Sequence, residues 1–423
     1  MMYGTTTLTR RSLADYLDVV GEDKIAELRE AARPLRGLRV LNLSVTAFGT
    51  GVADLLRSSV PLLSDLGLDC RWQVVRTADE FASVNKAMYA ALGGTAAPWT
   101  TEMSDVWLRY SAMNADLLTE DHDVVVVHDP QPTGIRSFVE ESKRASTRWV
   151  MHGHLDISRA QEEVWLLLRQ HMEQYDALIY DLESFPREGV GAGLTRVILP
   201  AIDPLGARNM ELSERAVVTV LEQYGIDLGR PLLCQVSPLD ETCDPLGAIE
   251  VFERVREEAP DLQLALVSTH VPEEPGARSY FDDVARKAQD YADIHVLSRL
   301  TNVGNVETNV FQRASHVVLQ RALRRGFGLW ASDTLWKERP IVAARGGGMP
   351  HQVLDGETGF LVEGSQQFVE RIVQLLRDPA LAREMGRAGR RHVAENFLIT
   401  RYLHDYIRLL EELVSARPDG ATP

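Results

Sequence analysis

The sequence predicts an α/β protein made of two doubly wound parallel-sheet domains. Short apolar runs of strand length alternate with helix-length amphipathic segments along most of the chain. The alternation occurs twice, and a hydrophobic linker, Val197-Ile-Leu-Pro-Ala-Ile-Asp-Pro204, separates the two series. At 423 residues the chain is also too long for one ordinary core.

Composition narrows the function classes. Hydrophobic residues at 45% and charged residues at 25% are the usage of a soluble globular protein. No apolar run reaches the roughly eighteen residues of a membrane span, and the N-terminal residues lack the apolar core of a signal peptide. A cytoplasmic location without a membrane partner is therefore expected. The net charge of −16 argues against nucleic acid as a partner, because that binding is driven by clustered positive charge. Cys70, Cys234 and Cys243 are widely spaced and form no metal-ligand pattern, so buried or free thiols and no metal are expected.

Helical segments at Leu13–Val20 and Asp23–Ala32 precede a buried strand at Leu38–Leu43. A loop with Gly49 and Gly51 and an amphipathic helix, Ala53–Leu66, follow. Strand, glycine-containing loop and helix open a doubly wound domain, whose ligands collect at the carboxyl ends of strands. An ordinary tight turn would account for the two glycines equally well. A second strand is placed from Val74 onward, then a helical stretch to Leu118.

The run Asp123–Val127 reads as a buried parallel strand leading into His128-Asp-Pro-Gln-Pro-Thr-Gly134. Polar groups directly after a central strand sit at the mouth of the sheet, which makes His128, Asp129 and Gln131 candidate ligand contacts. The plainer alternative is that Asp129-Pro130 only stops the strand. The next strand, Arg148–Met151, ends in His152-Gly-His154-Leu-Asp156-Ile-Ser158. Two histidines at a second strand end shift the balance toward a site. A helix at Gln161–Tyr175 and a strand at Ala177–Tyr180 complete the first series. The second has a helix at Ser213–Tyr224 and strands at Pro231–Val236, Leu262–Val267, Ile294–Leu297, His316–Leu319 and Ile341–Ala344. An amphipathic tail helix runs from Ala394 to Val414.

The densest chemistry lies between Leu319 and Val362, where Gly326-Phe-Gly328 precedes a helix-length segment, a buried strand and Gly346-Gly-Gly-Met-Pro350. Such loops turn backbone N–H groups and helix starts toward anionic ligands. Together with Trp336-Lys337, the run His154-Leu-Asp156-Ile-Ser158 and Leu199-Pro-Ala-Ile-Asp-Pro204, this stretch resembles GT-B retaining glycosyltransferases of the family 4 type. The trehalose glycosyltransferring synthases are the nearest group, and the likeness runs from Leu38 to about Leu413.

The resemblance implies two Rossmann-like domains facing across a cleft. An acceptor domain, residues 1–208, would be completed by a C-terminal helix at 393–415 crossing back to it, and a donor domain would span 209–392. It implies transfer of a hexose from a nucleotide diphosphate sugar, the substrate and not a cofactor, to a sugar acceptor with anomeric configuration retained. Within that frame His154 would hydrogen-bond the donor sugar. Gly49, Gly51, Arg324, Gly326, Phe327, Gly328, Leu329 and Asp333 would bind the donor, and His128, Asp129, Gln131 and Asp156 would lie on the acceptor side. Asp156 and Ser158 would also cap the helix that follows. A homodimer is the assembly this reading admits.

The chain departs from the family at two walls of the donor site. The diphosphate-clamping arginine and lysine fall on Pro238 and Cys243, although Ser237, Asp240, Asp244 and Pro245 keep the frame. The Glu-x7-Glu pair falls on Arg325 and Asp333, and a guanidinium accepts no hydrogen bond. One reading makes Arg325, with Arg324, a relocated phosphate clamp and a catalytic residue. The alternatives are a pseudo-glycosyltransferase joining a nucleotide-activated cyclitol to an amino sugar, sugar phosphate or aminocyclitol acceptor, and a non-catalytic partner subunit. A nicotinamide oxidoreductase is a poor fit, because the first loop lacks Gly-x-Gly-x-x-Gly in register.

Overall fold

The computed structural model describes residues 4–191, 193–269, 275–322 and 326–415. Arg324 and Arg325 lie outside the described residues. The chain divides into two compact units, Met1–Pro200 with Ile399–Pro423, and Ala201–Leu398.

Unit 1 holds a seven-stranded sheet of β1 (Gly4–Thr5), β2 (Arg39–Ser44), β3 (Asp69–Val74), β4 (Val124–His128), β5 (Arg148–Gly153), β6 (Ala177–Tyr180) and β7 (Leu194–Val197). Their order is β1-β3-β2-β4-β5-β6-β7, with every pair parallel except β1 with β3. Every residue of the central strands β4 and β6 is buried, as expected of a parallel sheet covered on both faces. The apolar runs Val124–Val127 and Ala177–Tyr180 are thus the sheet interior.

Unit 2 holds six parallel strands: β8 (Leu232–Val236), β9 (Gln263–Val267), β10 (Ile294–Leu297), β11 (Val317–Gln320), β12 (Ile341–Ala344) and β13 (Gly359–Val362). The order is β10-β9-β8-β11-β12-β13, so the chain reverses its winding between β8 and β11. Ligands of doubly wound sheets collect where strand order reverses. The sequence places residues on both sides of that point, Ser237–Asp244 after β8 and Arg321 onward after β11.

Three expectations need correction. The second strand ends at Val74 instead of starting there, because Cys70, Trp72 and Val74 point inward while charged Asp69 and Arg71 conceal the alternation. The tail is two helices, Pro379–Asn396 and Ile399–Ser415, separated at Phe397–Leu398. There the Phe397 carbonyl accepts from the Ile202 amide (2.8 Å) and Leu398 bridges Ile202, which takes two residues out of helical pairing. The edge strands β1, β7 and β13 were not anticipated; β7 is largely exposed and carries Thr195 and Arg196 in a short run that lacks an apolar signature. The last helix buries Tyr402, Leu403, Tyr406, Ile407 and Leu410 within unit 1.

Candidate active site

In unit 1 the carboxyl ends of three adjacent strands converge. Register pairs His128 at the end of β4 with His152 in β5, so the two side chains start level, and His154 lies just past β5. Asp181 follows β6 directly and is 4% exposed. His154 Nδ1 lies 3.0 and 3.3 Å from the two Asp181 carboxylate oxygens. His154 Nε2 lies 3.1 Å from His128 Nδ1, and His128 Nε2 lies 3.0 Å from Asn42 Oδ1 on β2. The result is one buried chain, Asp181–His154–His128–Asn42.

The backbone is shaped to hold it. Asp129 takes a left-handed conformation (φ 68°), which costs an L residue about 1–2 kcal/mol. Its amide donates to the His152 carbonyl (2.8 Å), its Oδ1 accepts from the His154 amide (3.2 Å), and its carbonyl accepts from Thr133 Oγ1 (3.3 Å). Those bonds turn the chain away from the sheet and fix His154 over the strand ends. His152 is fully buried, its ring 4.0 Å from that of His154, and neither of its nitrogens has a hydrogen-bond partner; Nε2 lies 3.4 Å from Asp181 without hydrogen-bond alignment.

Burial sets the charge pattern. It pushes His152 down to about 4 and His128 well below the ordinary range, the neighbouring histidines adding to both shifts. His154 is pulled down by burial too, but the carboxylates of Asp181 and Asp129 outweigh that and hold it above the ordinary value. Asp181 is raised by burial yet ends low, because His154 and His152 face it, while burial leaves Asp129 raised. Burial thus disfavours charge on His128 and His152, while the two carboxylates favour it on His154.

The three imidazoles bring ligand atoms within 4.8 Å of one another, close enough to hold a metal ion. The His128 and His154 ring planes, however, are nearly parallel (5°) with centroids 5.4 Å apart. That separation is what a 3.1 Å N···N contact gives when both nitrogens lie on the line between the ring centres. It is the geometry of a linear N–H···N hydrogen bond and leaves no space for an ion on that line.

In unit 2 two glycine loops lock together after β11 and β12. The Gly348 amide donates to the Gly326 carbonyl (3.3 Å), and Gly347 takes φ 52°. A Cβ on Gly348 would lie 2.3 Å from the Phe327 carbonyl oxygen, so the two backbones touch only because this residue is glycine. Gln352 joins them. Its Nε2 donates to the carbonyls of Phe327 (2.7 Å) and Gly328 (3.2 Å), and its Oε1 accepts from the amide and hydroxyl of Ser332 (2.9 and 2.7 Å). Phe327 turns its ring inward onto Phe397, leaving its backbone as the part that shapes the loop.

Asp333 lies on the helix Trp330–Trp336 and is 2% exposed. Its Oδ1 accepts from Asn209 Nδ2 (2.7 Å), and its Oδ2 lies 3.6 Å from Arg208. One turn on, Lys337 Nζ donates to Asn209 Oδ1 (2.7 Å) and to the Asp333 carbonyl (2.8 Å), and burial pushes it down to about 7. At the two clamp positions Pro238 is half-buried and Cys243 fully buried. Asp244, left-handed at φ 48°, takes both Arg321 Nε and a terminal nitrogen at 2.7 Å.

The structure thus joins His128, Asp129 and His154 in one cluster, and Gly326, Phe327, Gly328 and Leu329 in one loop. Gln131 is buried two residues beyond Asp129, with its Oε1 unpartnered. Gly49 (φ 77°) and Gly51 flank Thr50, whose hydroxyl caps the helix Gly51–Asp65; neither glycine has anything packed where a Cβ would go. Asp156 does not cap the next helix. It binds the Ser158 amide and hydroxyl (3.0 and 2.6 Å) in a local turn, and the helix starts at Glu162 with Gln161 as its N-cap. Sequence reasoning missed Asn42, Asp181, Asn209 and Gln352. Asp181 carried the same signal as His128, a polar residue directly after a buried strand. Gln352 carried none.

The family model described as trehalose synthase, N-terminal domain, matches residues 42–187, and that of glycosyl transferases group 1 matches residues 219–392. A trehalose synthase of Rubrobacter xylanophilus is 39% identical, over 96% of this chain and 97% of its own. One from Pyrococcus horikoshii is 34% identical over 98% of this chain and all of its own. Among solved structures, one described as trehalose-6-phosphate from E. coli bound with UDP-2-fluoro glucose superposes with a TM-score of 0.69 at 15% identity, over 90% of this chain and all of that one. A UDP-forming trehalose-phosphate synthase from Burkholderia xenovorans, in complex with glucose-6-phosphate, gives 0.71 at 15% identity, over 88% and 100%. At those identities the structures establish the fold. Among the described residues no helix is long and apolar enough to cross a membrane.

Proposed function

We propose, from the premise that this chain belongs to the trehalose synthase family of glycosyltransferases, that it moves a hexose from a nucleoside diphosphate sugar to a second sugar with configuration retained. Sugar transfer itself follows from the family. The donor class rests on one observation, the pair of glycine loops that Gln352 and the Gly348 close approach lock together at the carboxyl ends of β11 and β12. Such a frame presents backbone groups to a ligand with no reorganisation at the moment of reaction.

Charge neutralisation of the leaving diphosphate is the part that differs. Pro238 and Cys243 supply no cation, and Arg321 is already paired with Asp244. By its place in the sequence, directly before Gly326, Arg325 with Arg324 is the source this reading assigns, and guanidinium suits a diphosphate because it donates in a fork. In unit 1, His128, Asp129 and His154 form the sugar-facing group of the proposal. The three buried thiols accord with a reducing compartment. No observation favours the cyclitol-coupling or partner-subunit alternatives.

Calorimetry with UDP, ADP, GDP and dTDP and their glucose conjugates tests the donor class. Saturable binding of one nucleotide, with tighter binding of its sugar conjugate, is expected. No binding across the panel would refute it.

A further inference from the structure

We infer that His154 is held as an imidazolium at neutral pH by the chain Asp181–His154–His128–Asn42, and that Asn42, His128 and Asp181 are positioning residues that keep that proton in place. The assignment follows from counting donors. Asn42 Nδ2 donates to the Arg71 carbonyl (3.2 Å) and faces the Cys70 sulfur (3.4 Å), so its Oδ1 is the atom turned to His128. His128 Nε2 must then carry hydrogen, and in the neutral ring that burial favours this leaves Nδ1 as a bare lone pair. The in-line contact with His154 Nε2 at 3.1 Å requires a proton, and only His154 can supply it. His154 Nδ1 faces a carboxylate at 3.0 Å and needs a second proton. Both nitrogens protonated is the imidazolium. Moving one proton to Asp181 would leave the proton count unchanged, but the low carboxyl and high imidazole affinities place it on the ring.

Every titratable group facing the His154 ring fits this assignment. His128 on β4 and His152 on β5 are kept neutral by burial, so neither competes for the proton. Asp129 after β4 and Asp181 after β6 supply the opposing charge. Tyr402 of the last helix, stacked over His152 with ring centres 6.3 Å apart, is held in its neutral phenol form by burial. His154 is 12% exposed at its side chain, enough for its edge to reach a ligand while both nitrogens remain engaged.

The consequence is a change of role. With both N–H groups committed inside unit 1, the ring contributes fixed charge and a fixed position, and has no free N–H for a sugar hydroxyl. Losing one proton would set a lone pair either against the Asp181 carboxylate at 3.0 Å or against the His128 lone pair at 3.1 Å, and either contact would have to open. Transfer should therefore fall as pH rises through the His154 value, with kcat falling more than nucleotide affinity. This kinetic part rests on the transfer reading; the charge assignment does not.

The test is a pH titration of 15N-histidine-labelled protein by long-range 15N–1H NMR, on the wild type, Asp181→Asn and Asp181→Glu, with thermal melts to confirm folding. His154 is expected with both nitrogens protonated at about pH 7. Asp181→Asn should lower its titration by about one unit or more and move the alkaline limb of kcat by the same amount, and Asp181→Glu should restore both. A neutral His154 at about pH 7 in the wild type, or a titration unmoved in a folded Asp181→Asn variant, would overturn the assignment. Should Asp181→Asn not fold, the wild-type titration alone decides. A protonated His154 in a chain that transfers no sugar would support the charge assignment and count against the transfer reading.

Discussion

Replacing Gly348 by alanine isolates the interlock of the two donor-side loops. The native φ of −78° is open to any residue, so the substitution costs nothing in backbone conformation. The effect is steric. The new Cβ would stand 2.3 Å from the Phe327 carbonyl oxygen, 2.8 Å from its Cα and 2.9 Å from its carbonyl carbon, all backbone atoms that cannot rotate away. Bringing the shortest contact to the 3.0 Å limit of real Cβ contacts moves one loop by at least about 0.7 Å. Overpacking of this kind costs about 1–3 kcal/mol, and it also stretches the Gly348-to-Gly326 hydrogen bond. Urea unfolding should show that loss, and calorimetry should show donor nucleotide affinity reduced by tenfold or more, on the order of 1.4 kcal/mol. Gly51→Ala, where nothing lies within 4 Å of the added carbon, serves as the control for stability and should cost little. Unchanged stability and unchanged nucleotide affinity in Gly348→Ala would refute the interlock.

Gln352→Met keeps the volume but leaves the Phe327 carbonyl and the Ser332 amide and hydroxyl without the bonds Gln352 makes, and leaves the Gly328 carbonyl only the Ala331 amide, so a loss of about 2–4 kcal/mol is expected in urea unfolding. Acid should weaken the fold through His152. Its folded value of about 4 lies below the unfolded value of about 6.5, so the unfolded chain binds the proton first and stability drops as pH falls through that window. The whole shift is worth about 3 kcal/mol, partly offset by His154, and a His152→Gln variant should show a flatter pH dependence of its urea midpoint. Arg325→Ala should abolish nucleoside diphosphate binding with little change in melting temperature, and retained affinity would remove that residue as the relocated clamp.

The fold was legible because its signals are local. Val124–Val127, Ala177–Tyr180 and Ile341–Ala344 are short, apolar and bounded by polar or glycine-containing loops, which is what a strand covered on both faces must be. The edge strand β10 was legible too, but β7 was not, since it is mostly exposed and reads as loop. At the site, His128 and His154 announced themselves by standing at strand ends, and Asp181 carried the same signal, but Asn42 did not. Asn42 lies inside an apolar strand, and its meaning comes from the parallel pairing of β2 with β4, a long-range register that spacing does not encode. Asp333 was read as a donor-binding residue, and its contacts with Asn209 and Arg208, more than a hundred residues away along the chain, could not be read from its neighbours. Gln352 illustrates the same limit: a single amide serves two loops and a helix, and nothing in its neighbourhood in the sequence marks it.

The most direct measurement is proton NMR of the purified chain with each nucleoside diphosphate glucose and unlabelled glucose, following the anomeric signals together with nucleotide release. One donor should give a non-reducing disaccharide with the configuration of the donor retained, in step with release of the diphosphate, and the product should disappear in Arg325→Ala. Nucleotide binding without disaccharide for any donor, or hydrolysis alone, would contradict sugar transfer by a site whose clamp has been rebuilt.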